Sequence, residues 1–582
     1  MTRYDYAVLA FYFGFMLVIS WVFRKFITNV SDYFRSGGQV LWWMAGGSAF
    51  MVSFSAWTFT GAASRAYNDG WPIMVIYLAN AVGFFINALY FGPKMRQLRV
   101  VTSMEAVRQR FGRASEQTFT WITLPLQMLT AGIWLYGLGV FFSAAFAIDV
   151  RLTILTTGVC VLAISLIGGS WAVVASDFIQ VLILMPVTVV ATFLAVAHVG
   201  GWTTMTQKLA TTTLNPGKIF TQDFLLFWCV AILFKQFLST NNINDASRYL
   251  CVKDGSHARK AAVLGGVLFL GGIIIWFLPP MIATISHPDL RAGFPLLNEP
   301  AEASFFAIAQ ATFPVGMMGL LVSGIFAATM SSMDSGLNKN AGVFVKNFYQ
   351  PILRPGATEP ELLRAGKITT VLLGVFVIAV ALFYSQLKGL TLFELMVKFQ
   401  VLVSLPYVVP LVLGLIIKRT PGWTGWSSVI VCFAVSFLTD RYLDIGWAVR
   451  TFQGHAIPTT WERQNWEQGA GVFTILGAGL AWFLFARLFY RHESAGQKAE
   501  IEKFCHNLAT PVDYAREQGA GTDDRQSWLI GWLCLPYGAV VALMALIPNP
   551  LFGRLAFLFC GGTVMLIGGL LVKQARRPAP AP

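Results

Sequence analysis

A stripe of small and hydroxylated residues lies within an otherwise apolar stretch near residue 330. Ala328, Ser331, Ser332 and Ser335 stand at positions i, i+3, i+4 and i+7, which places them on one face of one helix. An accessible carbonyl followed by two hydroxyls supplies the hard oxygen ligands that an alkali cation prefers. Such stripes also form in plain helix packing, but packing does not require the carboxylate of Asp334. The pattern therefore favours a cation-binding face.

A second apolar stretch, residues 40–64, is unusually rich in hydroxyl groups and glycine. Its polar and small members are Ser48, Ser53, Ser55, Thr58 and Thr60, together with Gly46, Gly47 and Gly61. Hydroxyl side chains offer the backbone competing hydrogen bonds, and glycine weakens a helix. We therefore predict that this helix is broken near Met51–Trp57, so that backbone carbonyls face an ion or a solute. The alternative is a face of small residues used only for packing.

Ionisable residues stand inside three other apolar stretches, where charge is costly and marks an ion or solute path by default. Asp177 suits a cation or proton ligand, or the positive end of a helix. Lys235 either faces a cavity or extends its methylene stem to water. Lys398 and Gln400 precede two prolines four residues apart, a pattern typical of a kinked helix with either a gating or a structural role.

The elements that must position these groups are membrane spans. Hydrophobic residues make up 56% of the 582 residues and charged residues only 12%, whereas soluble domains are about a quarter charged. Fifteen apolar stretches are long enough to cross roughly 30 Å of hydrocarbon. They are residues 4–23, 40–64, 72–92, 117–147, 152–169, 174–199, 221–240, 260–286, 309–338, 366–385, 390–416, 426–440, 470–488, 527–547 and 551–573. Residues 426–440 are the shortest of these stretches, and the last pair could form a hairpin that does not span.

The composition excludes several classes of protein. A disordered chain, a secreted disulfide scaffold and an ordinary soluble enzyme would not carry this apolar content. The seven cysteines are scattered without a metal-ligand spacing. The net charge of +14 could suggest a nucleic acid partner, but most of the 42 Lys and Arg residues fall in alternate loops. That asymmetry predicts an amino terminus outside and a carboxyl terminus in the cytoplasm, and no nucleic acid partner.

Four segments together resemble the sodium:solute symporter family, which includes sodium–glucose, sodium–proline and sodium–iodide symporters. The first is Asp32-Tyr33-Phe34 with Gly37-Gly38 and Trp42-Trp43. The second is Gly168-Gly169 through Asp177-Phe178-Ile179-Gln180. The third is Asn242 through Arg248-Tyr249-Leu250, and the fourth is Met330-Ser331-Ser332-Met333-Asp334-Ser335 with Asn338. They occur in family order over about residues 30–420.

The resemblance implies an all-α polytopic membrane protein of the leucine-transporter type. In that fold two five-helix repeats run antiparallel about a pseudo-two-fold axis in the membrane plane. On this chain, residues 1–582 would form one membrane transport domain. Residues 4–23 would be an extra amino-terminal helix, 40–199 the first repeat, 221–416 the second repeat, and 426–573 additional carboxyl-terminal helices.

The resemblance also implies ion sites. The main sodium ion would be bound by the backbone carbonyls of Met51, Phe54 and Ala328 and by the hydroxyls of Ser331 and Ser332. A second cation or proton site would comprise Asp177, Asp334 and Ser335. Asp334 departs from the family, whose members with a second site usually carry a hydroxyl there. Two close carboxylates repel each other. A cation, a proton or Lys235 would have to relieve that repulsion, or the second site would be a fixed ion pair.

Solute contacts are expected from Trp57, Thr58, Lys235, Asn242 and Gln400. Sodium–sugar members carry Glu-Gln where this chain has Trp57-Thr58, and a Lys where it has Phe269. These departures, with Lys235, favour a carboxylate or amino-acid-like solute over a sugar.

The predicted function is sodium-coupled import of a small organic solute by alternating access. The alternatives are a proton-coupled transporter of the same fold, using Asp177 and Asp334, and a solute-sensing membrane protein that does not transport. An enzyme is not expected, because the chain has no G-x-S-x-G, H-E-x-x-H or Walker motif. No cofactor is predicted, and the expected partners are sodium, the solute and the bilayer. The predicted location is the cell membrane, as in a bacterial inner membrane.

Overall fold

The computed structural model describes residues 1–23, 36–210, 224–387, 391–443, 445–452, 454, 457–518 and 523–575. These residues are predominantly helical, and the described part contains no strand beyond one isolated parallel bridge between Val40 and Val252. The predicted all-α class is therefore confirmed. The Asp32-Tyr33-Phe34 segment lies outside the described residues.

The first group of helices runs to residue 210. They are α1 (Arg3–Phe23), α2 (Trp42–Val52), α3 (Gly61–Asp69), α4 (Met74–Ile86), α5 (Gly92–Gln97), α6 (Ser103–Phe146), α7 (Val150–His198) and α8 (Gly201–Ala210). The second group is α9 (Leu225–Thr240), α10 (Ser247–Leu250), α11 (Gly255–Ser286), α12 (Ser304–Thr312), α13 (Met317–Phe344), α14 (Glu359–Tyr384), α15 (Leu392–Phe399) and α16 (Leu405–Ile416). The third group is α17 (Thr424–Tyr442), α18 (Ile445–Phe452), α19 (Thr460–Arg487), α20 (Ala495–Ala509), α21 (Tyr514–Gln518), α22 (Asp523–Leu543) and α23 (Leu551–Ala575). A π-helical turn, Asn87–Phe91, joins α4 to α5, and another, Gln400–Ser404, joins α15 to α16.

Within the described ranges, eleven helical segments are long and apolar enough to cross a membrane, and two shorter apolar helices add to them. The predicted count of fifteen spans is not confirmed. Residues 40–64 contain α2 and the start of α3, so no single helix of that length lies there. Residues 152–169 and 174–198 both lie in α7, where Val150–Leu166 is one of the two shorter apolar helices and Ser170–His198 is one of the eleven segments.

Local sequence signals fix where several of these helices begin. Thr102 and Glu105 form a capping box at the start of α6, and Thr391 and Glu394 form another at α15. Each threonine hydroxyl accepts from the backbone N–H three residues on, and each glutamate accepts in return from the threonine N–H. Asp254 caps α11 in a similar way by accepting from the His257 N–H at 2.9 Å.

Helix α13 lies at the centre of the bundle. Every residue from Met317 to Ser335 is buried, which is typical of a helix surrounded by other helices on all sides. Glycines allow the close approaches: a Cβ at Gly319 would lie 2.6 Å from the Asp5 carbonyl oxygen of α1, and one at Gly324 would lie 3.0 Å from Leu184 of α7. The polar stripe near residue 330 is therefore held at fixed positions against its neighbours.

Candidate functional site

The helix in residues 40–64 is interrupted where the sequence predicts. Helix α2 ends at Val52, residues 53–55 are not helical, and a 3-10 turn over Ala56–Phe59 leads into α3. The hydroxyls contribute locally: Ser53 donates to the Ala49 carbonyl at 3.2 Å, and Ser55 accepts from the Trp57 N–H at 3.3 Å. The predicted break is confirmed, and it leaves backbone carbonyls without partners from a continuing helix.

Ser332 of α13 lies directly opposite this gap. Its Oγ is 2.7 Å from the carbonyl oxygen of Phe54, 3.1 Å from that of Met51 and 3.2 Å from that of Val52. The Ala328 carbonyl of the same helix is 3.2 Å away. A hydroxyl has one proton to donate, so the remaining carbonyl oxygens form a concentration of negative potential. Hard oxygen atoms in this arrangement suit an alkali cation.

Four of the five residues predicted for the main ion site, Met51, Phe54, Ala328 and Ser332, are thus brought together. The Val52 carbonyl lies beside them, and the sequence did not single it out. Ser331, the fifth, is buried and lies beside the Asp177 carboxylate of α7. The fifth predicted ligand therefore lies on the side of α13 that faces the Asp177 carboxylate.

The three residues predicted for a second cation or proton site also lie together, around Arg248 of the short helix α10. The Arg248 Nη2 is 3.7 Å from Asp177 Oδ2 and donates to the Ser335 hydroxyl. Asp177 also accepts from Ser48 of α2, and Asp334 accepts from Ser165 of α7. The expectation that Lys235 could relieve the repulsion between the two carboxylates is wrong. Arg248 is the cation beside Asp177, and the Lys235 ammonium donates to Gln400 instead.

A cavity of about 260 Å³ adjoins the gap. Four of the predicted solute contacts line it, namely Trp57, Thr58, Lys235 and Gln400. The fifth, Asn242, does not: its side-chain amide donates to the Ser239 carbonyl at 2.7 Å, and its carbonyl accepts from the Asp245 N–H at 3.2 Å. Asn242 caps the 3-10 turn that follows α9, a local role that its residue type favours.

Lys235 is buried in this cavity wall, with 2% of its surface exposed. Its ammonium donates to the Gln400 side-chain carbonyl, and no carboxylate among the described residues forms an ion pair with it. The cavity-facing alternative is therefore confirmed over the extension to water. A buried ammonium whose partner is only a neutral amide is under-compensated.

The end of the cavity near Trp57 is closed. The Trp57 indole donates to the Leu392 carbonyl of α15 at 3.3 Å and stacks on Phe393 with ring centroids 5.9 Å apart. Glu302, buried in the segment before α12, accepts from the Leu392 N–H at 3.0 Å. Burial raises the pKa of Glu302 to about 8. These contacts hold α15 against the 3-10 turn and seal that end.

The opposite end of the cavity reaches the surface. Lys339 and Asp245 line it there and form an ion pair at 3.0 Å. The side chain of Asp245 is 47% exposed, whereas Trp57 at the other end is 8% exposed. The cavity is therefore open on one side of the molecule and closed on the other.

The family is settled by comparison. A model of the sodium:solute symporter family matches residues 33–424, and this chain belongs to that family. The chain is 25% identical over 454 residues to the sodium/sialic acid symporter SiaT of Proteus mirabilis, covering 75% of this chain and 89% of that protein. It is 28% identical over 450 residues to the sodium/glucose cotransporter of Vibrio parahaemolyticus, covering 72% and 81%. A pig sodium/myo-inositol cotransporter 2 (Sus scrofa) is 24% identical over 471 residues, covering 73% and 68%.

The fold is also shared with a solved structure. A sodium-coupled sialic acid symporter, solved substrate-bound and outward-open, superposes with a TM-score of 0.68 at 20% identity, covering 85% of this chain and 98% of that one. The resemblance and fold class given by the sequence are therefore confirmed. These relatives are named for sialic acid, glucose and myo-inositol.

Proposed function

We propose that this protein is a sodium-coupled symporter that carries a hydroxyl-rich solute of the sugar type across a cell membrane. The observation that carries the proposal is the convergence of the Met51, Phe54 and Ala328 carbonyls on the Ser332 hydroxyl, next to a solute-sized cavity. Family membership supports the same function. No step requires a chemical conversion of the solute, so we infer a transporter and not an enzyme.

A bound sodium ion would replace the hydrogen bond of the Ser332 hydroxyl as the partner that these carbonyls share. Its ligands would be the carbonyl oxygens of Met51, Phe54 and Ala328 and the hydroxyl oxygens of Ser331 and Ser332. Because Met51 and Phe54 lie at the end of α2 and in the gap after it, and Ala328 and Ser332 lie on α13, the ion links two parts of the fold that must move relative to each other. Entry of one charge through 100 mV contributes about 2.3 kcal/mol to solute accumulation, before any concentration term.

We infer that the conformation described above is inward-facing. The predicted topology puts residues 339–367, which begin at Lys339 in the last turns of α13, in the cytoplasm, and the cavity opens beside Lys339. The closed end, at Trp57 and Phe393, would then face outside. In the outward-facing state the contacts of α15 with Trp57 would break, and the end of the cavity at Lys339 and Asp245 would close.

The solute that fits best is an acidic sugar. The sugar relatives favour hydroxyl-rich solutes, and the buried ammonium of Lys235 favours an anionic group. Sialic acid, a sugar with a carboxylate, combines both features. Neutral sugars are the second candidate, favoured by the glucose and myo-inositol relatives.

The experiment is uptake of labelled sialic acid, glucose and myo-inositol into proteoliposomes, with and without a sodium gradient. Sodium-dependent uptake of at least one probe, strongest for sialic acid, is expected. Ser332→Ala should raise the sodium concentration for half-maximal uptake at least tenfold. Ser323→Ala is the matched control, because Ser323 is buried in the same helix but its hydroxyl bonds only the Gly319 carbonyl at 2.7 Å.

Three outcomes would contradict the proposal or the site on which it rests. The first is uptake that is unchanged without sodium and collapses with an uncoupler, which would support proton coupling instead. The second is a solute that binds without being carried, which would support a sensor. An equal effect of Ser332→Ala and Ser323→Ala would remove the gap as the sodium site.

A further inference from the structure

The first turns of α19 lie against the closed end of the cavity. Thr459 and Glu462 form a capping box that fixes where this helix begins. Further along the helix, Gln468 accepts from the Trp228 indole of α9 at 2.6 Å, which anchors α19 to the bundle. Helix α19 lies outside residues 33–424, the part of the chain that matches the family model, so the family segments assign no role to it.

Gln464 of α19 joins two elements that meet at the closed end. Its side-chain carbonyl accepts from Arg65 Nη2 of α3 at 3.2 Å, and its amide donates to the Glu394 carboxylate of α15. Glu394 also accepts from the Thr391 N–H at 3.1 Å, so the bridge reaches the cap of α15. Both hydrogen bonds of Gln464 have a charged partner, and such bonds are stronger than bonds between neutral groups.

The Arg65 guanidinium is held in place by three further contacts. Its Nε is 2.6 Å from the Asp69 carboxylate, one turn along α3. The guanidinium lies over the Trp461 ring of α19, 3.8 Å from the centroid, and over the Phe393 ring of α15 at 5.2 Å. Helix α19 therefore contacts Arg65 through two side chains, Gln464 and Trp461.

Separation of α3 from α15 would break this bridge. The two partners of Gln464 belong to different elements, and one side-chain amide reaches both only while they remain within hydrogen-bond distance. Alternating access requires the closed end to open, which would move the Trp57 turn and α3 away from α15. At least one of the two hydrogen bonds must then be lost, so Gln464 favours the closed arrangement.

We infer that Gln464 and Trp461 form a latch that keeps this end of the cavity shut, so that a helix outside the residues matched by the family sets how readily the protein opens. They are positioning residues, since neither of them lines the 260 Å³ cavity. The inference rests on the proposed function only in taking the closed end to open during transport.

The test measures hydrogen exchange in the purified, detergent-solubilised full-length protein. Residues 57–69 and 391–399 report on the closed end, and residues 243–250 and 335–343 report on the open end. Gln464→Ala removes both hydrogen bonds and should raise exchange at the closed end about tenfold. It should lower exchange at the open end, because the two ends do not open together in alternating access. A general loosening of the fold would instead raise exchange at both ends.

A swap of donor and acceptor tests whether the bridge itself is responsible. Gln464→Glu alone places two carboxylates together and should open the closed end as the alanine variant does. Combined with Glu394→Gln, it restores the bridge with the roles reversed: the new carboxylate accepts from Arg65 and from the new amide. The carbonyl of that amide can still accept from the Thr391 N–H, since glutamine also serves in a capping box. The double variant should therefore return to the wild-type exchange rates.

Gln386→Ala is the matched control, because the Gln386 amide donates to the Leu382 carbonyl one turn away at 3.3 Å, and it should leave all four segments unchanged. Gel filtration establishes that each variant is folded. If Gln464→Ala fails that check, Gln464→Glu and the double variant decide the matter.

Three results would overturn the latch: unchanged exchange in the folded Gln464 variants, faster exchange at both ends, or a double variant that stays open. The measurement needs neither sodium nor solute. Failure of the latch is therefore distinguishable from failure of sodium coupling, which the uptake experiment measures.

Discussion

Replacement of Lys235 by methionine tests whether the solute carries an anionic group. Methionine keeps a long, unbranched side chain in the cavity wall and removes the ammonium. The wild-type lysine is 2% exposed and bonds only the neutral Gln400 carbonyl among the described residues. A hydrogen bond to a charged group contributes about 1.5–3 kcal/mol. At 1.4 kcal/mol per factor of ten, the loss corresponds to a roughly 10- to 150-fold weaker affinity for an acidic sugar.

The same substitution has a second, opposite effect on the protein alone. Burial of an ammonium without a carboxylate is unfavourable, so removal of the charge should raise the melting temperature of the solute-free protein. The Gln400 carbonyl then faces the cavity, where water can replace the lost donor. The two effects have opposite signs, and a general loss of structure cannot produce both.

The assay compares competition by sialic acid and by glucose for uptake in proteoliposomes, with a melting curve for each variant. Lys235→Met should lose affinity for sialic acid and leave glucose nearly unchanged. Lys398→Met is the matched control, since Lys398 is exposed and does not line the same cavity. Equal losses for both sugars, or a lowered melting temperature, would refute the argument that Lys235 recognises an anion.

Two further predictions concern the closed end of the cavity. A Cβ at Gly61 would lie 2.7 Å from the Trp57 indole nitrogen and 3.1 Å from the Phe393 backbone nitrogen, so Gly61→Ala should separate these elements and speed hydrogen exchange in residues 57–69 and 391–399. Burial raises the pKa of Glu302 to about 8, so the neutral acid is favoured; the stability that it contributes is fully present below about pH 4.5 and is lost as pH rises through about 8. Glu302→Gln should therefore remove a fall in melting temperature that the wild type shows between about pH 5 and 8.

Each of these has a control. Gly271→Ala adds the same methyl group to a helix where no atom lies within 4 Å, and it should leave exchange unchanged. Glu500→Gln, at an exposed carboxylate of α20, should keep the wild-type pH dependence. Unaltered exchange in Gly61→Ala would mean that α15 is not held by the Trp57 contact, and an identical pH profile in Glu302→Gln would place the titrating group elsewhere.

The sequence alone determined the features that depend on local chemistry. The break after Val52 follows from hydroxyl side chains that bond their own backbone, as Ser53 and Ser55 do. The alignment of Ala328 with Ser332 follows from the 3.6-residue period of a helix. The capping box of Thr391 and Glu394 is likewise local, because its two residues are only three positions apart. The family motifs added the expectation that these elements meet.

Only the tertiary structure decided which distant groups became partners. Arg248 and Asp177 are 71 positions apart, and nothing in the spacing of the sequence places that guanidinium beside Asp177. Asn242 has a suitable residue type for solute contact, yet its local hydrogen bonds turn it away from the cavity. The physical reason is that periodicity specifies the face of a helix, whereas the neighbour of that face is set by how all the helices pack. The sequence therefore identified the oxygen-rich break in the helix, and packing decided which side chains lie beside it.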